Sequence, residues 1–228
     1  MKKPAAKKSA DPNVVKVLVV DDHPIVRQGI KSLLEIDSRF QVAWEAANGP
    51  QAITIVEKAT PDAAVVDISL EGSDGLELIK NLRAMDYAFP ILVVSMHEES
   101  LYAERVLRAG GNGYVMKREL SDNLLRALER IIEGKIYVSD AIQERFLKDI
   151  SGKNRKEGSG VESLSDRELE VFRLMGNGLS TREIADKLRL SIKTIETYRA
   201  YIKEKLDIST APELVSRATR WVQEQQGA

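Results

Sequence analysis

The sequence predicts an open α/β domain, a parallel sheet with helices on both sides, followed by a small all-helical domain. Three features carry that expectation. Short runs rich in Val and Ile alternate with amphipathic stretches from residue 14 to residue 132, the order of βαβ units. A polar, Gly/Ser-rich run, SGKNRKEGSG at 151–160, then interrupts the chain without an apolar anchor, which is linker composition. Behind it stand three S/T-x-x-E boxes, each able to start a helix.

The strand candidates are residues 14–20, 42–46, 63–66, 91–94 and 113–116. Nearly unbroken in their apolar character, they suit strands buried on both faces. Helical spacing marks 24–35, 50–59, 75–84, 101–109 and 121–132 between them. Gly110-Gly111-Asn112-Gly113 follows a helix and precedes a strand, the wrong order for a dinucleotide loop, and reads as a turn. In the back half, the boxes pair Ser165 with Glu168, Ser180 with Glu183 and Thr210 with Glu213. Gly178 suits the end of the first of these helices. A further helix is expected from Ser191, so 181–188 and 192–206 form a helix-turn-helix with a helix on either side. The resulting division is a disordered basic tail over 1–13, a first domain over 14–135, a linker over 136–160 and a second domain over 161–228.

Composition removes several classes of function. The 228 residues include no cysteine, which excludes disulfides, thiol catalysis and thiolate metal sites. With His23 and His97 as the two histidines, a multi-histidine zinc site is excluded as well. No apolar run approaches the roughly 20 residues that cross a bilayer, and MKKPAAKKSADPN has no apolar core behind its charges, so neither a membrane span nor a secretory signal is expected. A cytoplasmic location is the expectation. The net charge of −1 conceals an acidic front half, with 14 basic and 20 acidic residues over 14–142, and a balanced back half, with 11 of each over 158–228.

In open parallel sheets, ligands bind beyond the carboxyl ends of the strands, and those ends are chemically rich here. Strand one runs into Asp21 and Asp22, strand three into Asp67, strand four into Ser95 and strand five into Lys117. If these strands are neighbours, three carboxylates meet on one edge, and they need a cation to remain ionised together. Hard oxygen ligands suit Mg²⁺. A cap role for Asp22, just before Pro24, is the plainer reading of one carboxylate taken alone.

DDHP (21–24), VVDISL (65–70), VVSMHE (93–98) and GYVMK (113–117) together resemble the receiver domain of two-component response regulators over about 120 residues. The resemblance implies a flavodoxin-like, doubly wound sheet of five parallel strands. It further implies that Asp67 accepts a phosphoryl group from a partner sensor histidine kinase. Asp21, Asp22, Asp67 and the carbonyl of Ser69 would hold Mg²⁺, with Asp21 acting largely through water. Lys117 would pair with the phosphoryl oxygens and Ser95 would hydrogen-bond to one of them, charge neutralisation of the kind phosphoryl transfer requires. Ser95 and Tyr114 would form the switch, Tyr114 turning inward as Ser95 moves. Ser69 and His97 fall where comparable receivers tune dephosphorylation. Two positions depart from the family: Glu71 and Arg118 stand where receivers commonly have proline.

In the second domain, helical geometry puts Ile192, Ile195, Tyr198, Ile202 and Leu206 on one side as core. The other side carries Lys193, Thr197, Ala200 and Glu204, flanked by Thr194, Glu196, Tyr201 and Lys203. From Arg189 to Lys205 there are five basic and two acidic residues, a face that suits a major groove. A plain four-helix, protein-binding bundle is the alternative on residues alone. The segment 164–206 resembles the LuxR-type helix-turn-helix of NarL/FixJ-class regulators, apart from Tyr198 where histidine is frequent. That resemblance implies Glu196, Thr197 and Ala200 near bases, and Lys193, Thr194, Tyr201 and Lys203 near phosphates of double-stranded DNA. It also implies a dimer-forming last helix using Leu214, Val215, Ala218 and Trp221, hence paired half-sites.

The combined expectation is a transcriptional regulator, not an enzyme, in which Mg²⁺-dependent phosphorylation of Asp67 releases the helix-turn-helix domain or promotes a homodimer. In the inactive form the first domain would cover the recognition or dimer helix. Two rivals stand beside it. An aspartyl-phosphatase would need a second carboxylate two residues after the nucleophile, where Ser69 stands. A DNA-binding protein with a degenerate receiver is opposed by the intact acidic residues.

Overall fold

The computed structural model describes residues 14–70, 73–150 and 160–226. The tail over 1–13, Glu71 and residues 151–159 of the connection lie outside the described residues. The first domain is built on β1 (Val15–Val20), β2 (Phe40–Ala46), β3 (Ala63–Asp67), β4 (Ile91–Ser95) and β5 (Gly113–Met116). They lie in the order β2-β1-β3-β4-β5, every pairing parallel. Between them run α1 (Pro24–Leu34), α2 (Gly49–Lys58), α3 (Gly75–Ala84) and α4 (Glu99–Ala109), and α5 (Leu120–Ile132) follows β5.

The two-residue side-chain period of the strands divides the apolar content between two cores. Leu18, Val20, Ala64, Val66, Ile91 and Val93 pack under α2, α3 and α4, whereas Val17, Val19, Val65, Leu92 and Val94 pack under α1 and α5. A central strand covered on both sides must be apolar throughout, and Ala63 to Val66 are fully buried. The doubly wound parallel sheet is as the alternating pattern predicts.

The span 136–150, assigned above to a linker, is folded. Tyr137 pairs in parallel beside Gly113, exchanging bonds through Tyr114 N to Tyr137 O at 2.8 Å and Tyr137 N to Asn112 O at 3.0 Å. Residues Asp140–Ile150 then form α6. The cause is an apolar stripe at four-residue spacing: Val138 and Ile142 are buried, and Phe146 is half-buried against the same core.

The second domain consists of α7 (Asp166–Gly176), α8 (Thr181–Leu188), α9 (Ile192–Lys205) and α10 (Ala211–Gln226). Reciprocal capping boxes start α7 at Ser165/Glu168 and α8 at Ser180/Glu183, and Ser191 caps α9. Leu169, Phe172, Ile184, Ile195, Ile202 and Leu206 form the buried core. Tyr198 is half-buried against it, but Ile192, the first residue of α9, is 48 % exposed and stands at the edge of the apolar side, not in the core. Helices α7 and α10 cross closely at Gly176, where an added Cβ would meet Ala218 O at 2.4 Å.

The two domains touch. Asp166, in the first turn of α7, accepts from Lys80 at 2.6 Å and from Arg105 at 2.9 Å. Arg105 also donates to Glu162 O at 3.3 Å.

Candidate functional site

Sheet register builds the site. Val20 pairs with Val66, Asp67 with Val94, and Ser95 with Met116, so Asp21, Asp67, Ser95 and Lys117 end four adjacent strands on one edge. Asp21 and Ser95 are fully buried and Asp67 is 2 % exposed. Lys117 Nζ reaches Asp21 Oδ2 at 2.6 Å and Asp67 Oδ2 at 2.7 Å. The backbone N–H of Ser69 holds the other oxygen, Asp67 Oδ1, at 3.2 Å.

Electrostatics follow from this crowding. Burial pushes the Asp67 carboxyl above its usual range; the Lys117 ammonium opposes that shift and the Asp21 carboxylate adds to it. Burial works against the charge on Lys117, but Asp67 and Asp21 more than compensate and raise its pKa. Two buried carboxylates, Asp21 and Asp67, therefore share one ammonium, with the half-buried Asp22 beside them, an arrangement short of positive charge.

The residues fit a hard divalent cation. Ligand atoms of Asp21, Asp22, His23 and Asp67 lie within 4.8 Å of one another. Asp21 Oδ2 and Asp22 Oδ1 are buried outside hydrogen-bond geometry, even though Lys117 and His23 Nδ1 each approach one of them to 2.6 Å as ion-pair partners. Carboxylate oxygens with unused lone pairs are the donor set of Mg²⁺. Sequence reasoning missed His23 beside Asp22; its position next to the acidic pair was the available signal.

Ser69 and His97 meet across the site, with Ser69 Oγ 2.9 Å from His97 Nε2. Burial, with Arg173 and Lys117 nearby, lowers the His97 pKa to about 3, so the imidazole is neutral and bonds the hydroxyl without carrying charge. Ser95 Oγ accepts from His97 N at 3.1 Å. Tyr114 already stands inward: it is 1 % exposed and donates to His97 O at 2.7 Å. The outward-to-inward swing expected of Tyr114 therefore has no outward starting position here, because the His97 carbonyl supplies a buried acceptor for its hydroxyl. Arg118, at the departure from proline, pairs with Glu98 at 3.2 Å, and the described residues contain no cis peptide bond.

On α9, Lys193, Glu196, Thr197, Ala200 and Tyr201 are exposed, and Thr194 and Lys203 are half-buried. All seven lie off the buried Ile195–Ile202 side. Of the four residues expected to dimerise, Leu214 and Ala218 are fully buried in their own domain's core, and Trp221 packs on Phe172 with ring centroids 5.7 Å apart. Val215, 39 % exposed, is left facing outward. The apolar spacing of α10 serves α7 first.

Of the two helices expected to be covered, the last helix faces the first domain through Trp221 and Val222, whereas the recognition helix does not line the cleft between the domains. The first domain also seats on the start of α7, and the cleft, of about 350 Å³, is lined by Leu101, Tyr102 and Met116 on one side and Trp221 and Val222 on the other.

Comparison with known proteins agrees with this layout. Residues 17–129 match the family described as response regulator receiver domain, and residues 162–218 match bacterial regulatory proteins of the luxR family. The nitrate/nitrite response regulator protein homolog of Haemophilus influenzae is 34% identical over 196 residues, covering 85% of this chain and 91% of that protein. Response regulator GacA of Pseudomonas aeruginosa is 34% identical over 208 residues, 91% and 96% of the two chains. Among solved structures, RcsB from Salmonella enterica serovar Typhimurium, bound to promoter P1flhDC in the presence of phosphomimetic BeF3-, superposes with a TM-score of 0.67 at 28% identity, over 91% of this chain and 100% of that one.

Proposed function

Since the chain belongs to the response regulators that join a receiver domain to a LuxR-type DNA-binding domain, we propose that this transcription regulator is switched by phosphorylation of Asp67 from a sensor histidine kinase. The observation that carries this is the meeting of Asp21, Asp67 and Lys117 at one strand edge, within 2.6–2.7 Å contacts.

In the reaction, an Asp67 carboxylate oxygen attacks phosphorus in line; the O–P bond forms as the P–N bond of the donor phosphohistidine breaks, and the imidazole leaves with the electron pair. Asp21, Asp22, Asp67 and the Ser69 carbonyl would hold Mg²⁺, which when bound neutralises charge on the phosphoryl oxygens. Lys117, already against Asp67, turns its ammonium toward a phosphoryl oxygen. Ser95 would donate its hydroxyl to a phosphoryl oxygen while its oxygen accepts from the His97 N–H, and that new bond acts on the loop leading into α4, next to the docked second domain.

The output is stronger binding to double-stranded DNA through α9, as a homodimer on paired half-sites. With Leu214 and Ala218 committed to their own core, the outward face around Val215 is the surface such a dimer would use. Sedimentation velocity and retention of a randomised duplex pool, with beryllofluoride and Mg²⁺, test the proposal. Wild type should gain dimer and DNA retention while Asp67→Asn gains neither; equal behaviour of the two would leave a phosphorylation-independent DNA-binding protein.

A further inference from the structure

Arg173, in the last turn of α7, is half-buried. Among the described residues it forms no ion pair, and its Nε–H is buried with no acceptor. A guanidinium carries five donors and keeps its charge, so leaving it unpaired beneath another domain is costly. Its neighbour Arg167, by contrast, is held by Glu170 at 2.5 Å.

The place Arg173 occupies explains the vacancy in its hydrogen bonding. A cavity of about 390 Å³ between the domains reaches the residues that flank the acceptor edge. On the receiver side its wall is Asp22, His23 and Ser69; on the other side it includes Arg173 and Lys187. Arg173 also borders the cleft that reaches Ser95 and His97, and its charge is felt at the His97 ring. The guanidinium therefore looks onto the rim of the pocket from which the oxygens of a phosphoryl group on Asp67 would emerge. Within the pocket, Lys117 is shared between two carboxylates, so an incoming dianion would still lack positive charge. Of the acids in the cavity wall, Glu170 is neutralised by Arg167 and Asp22 belongs to the cation-binding set.

We propose that Arg173 of the DNA-binding domain is a positioning residue for the oxyanion formed at Asp67, completing across the domain boundary an anion site that the receiver alone leaves open on one side. This rests on the phosphorylation reading above. Arg173 forms a charge-assisted hydrogen bond to the phosphoryl oxygen pointing out of the pocket. The DNA-binding domain then reads phosphorylation directly, and the contact slows loss of the phosphoryl group by occupying the side from which water attacks.

The test uses the full chain in four forms: wild type, Arg173→Met, Arg173→Lys and Asp67→Asn. Beryllofluoride affinity in excess Mg²⁺ is followed by ¹⁹F NMR, and the lifetime of the phosphorylated protein, loaded from acetyl phosphate, by intact mass. Arg173→Met should lose roughly three- to tenfold in both quantities, the worth of one partly solvated charged hydrogen bond. Arg173→Lys, which keeps the charge, should recover most of the loss. Unchanged affinity and lifetime in Arg173→Met, or equal losses in Met and Lys forms, would overturn the proposal, the latter marking a packing role. Failure of wild type to bind beryllofluoride or gain a phosphoryl group would instead overturn the phosphorylation reading itself. Matching thermal melts identify variants that are folded; a misfolded Met form is replaced by Arg173→Gln under the same criteria.

Discussion

Lys117 Nζ lies 2.7 Å from Asp67 Oδ2, and the same ammonium lies 2.6 Å from Asp21 Oδ2. One cation thus holds two buried carboxylates that would otherwise repel each other at the end of adjacent strands. Removing it leaves both without compensation. Lys117→Met should cost about 3–5 kcal/mol of stability in chelator, the usual penalty for breaking a buried pair from one side. On the proposed cation site, part of that loss should return with added Mg²⁺, because a divalent cation would take the same oxygens. Urea denaturation with and without Mg²⁺ measures both effects.

Gly75 is the second support of Asp67. It begins α3, and a Cβ there would stand 2.1 Å from the backbone oxygen of Asp67. Its own N–H donates to Ile68 O at 2.9 Å. Gly75→Ala must therefore push α3 away from β3. The expected outcome is a loss of about 1–3 kcal/mol, as for other overpacked sites, together with slower phosphorylation of Asp67. Wild-type urea midpoint and rate in this variant would contradict the placement.

Asp74 makes the domain contact pH-dependent. Burial, then the Glu170 and Asp166 carboxylates on α7, raise its pKa to about 7, against the Leu76 N–H and Arg167, which lower it. Tyr102 and Arg173 border the same small space, and Glu77 lies on its own helix. The neutral acid is thus favoured when α7 is docked. Docking keeps its full strength below the ordinary carboxyl value near 4 and loses it as pH rises through about 7. Between pH 6 and pH 8 the closed-to-open ratio should fall by at most roughly tenfold. Small-angle scattering should report this expansion, and Asp74→Asn should flatten it.

Lys193 stands exposed near the start of α9, on the side away from the buried Ile195 and Ile202. As the proposed phosphate contact, its substitution should weaken binding to any duplex, not to one sequence in particular. Lys193→Ala should lower affinity a few-fold at low salt and reduce the log–log salt slope by about one. Fluorescence anisotropy over a salt series measures both.

The legible parts of the molecule are those set by short-range pattern. Val and Ile runs at 63–66 and 91–94 mark strands covered on both sides, and the polar residues at their ends, Asp67 and Ser95, follow from topology once the strands are parallel. The capping boxes at Ser165 and Ser180 mark their helices correctly. Helix α6 was hidden although its signal existed: Val138, Ile142 and Phe146 repeat at helical spacing, but within a polar stretch that leads into a linker.

Other features depend on which surfaces meet. An apolar stripe on α10 reads equally as a dimer seam or as the underside of a helix, and Leu214 and Ala218 turn out to pack within their own domain. Tyr114 stands inward because the His97 carbonyl accepts from it, a bond between residues 17 positions apart. Arg173 carries no sequence signal at all; its significance arises from the docking of α7 near the residues that flank the acceptor edge.

The most direct test of the central claim is intact mass after incubation with Mg²⁺ and acetyl phosphate, comparing wild type with Asp67→Asn. The account predicts one phosphoryl group on wild type, none on Asp67→Asn, and none on either in chelator. No adduct on wild type under rapid quenching, or an adduct that persists on Asp67→Asn, would contradict it.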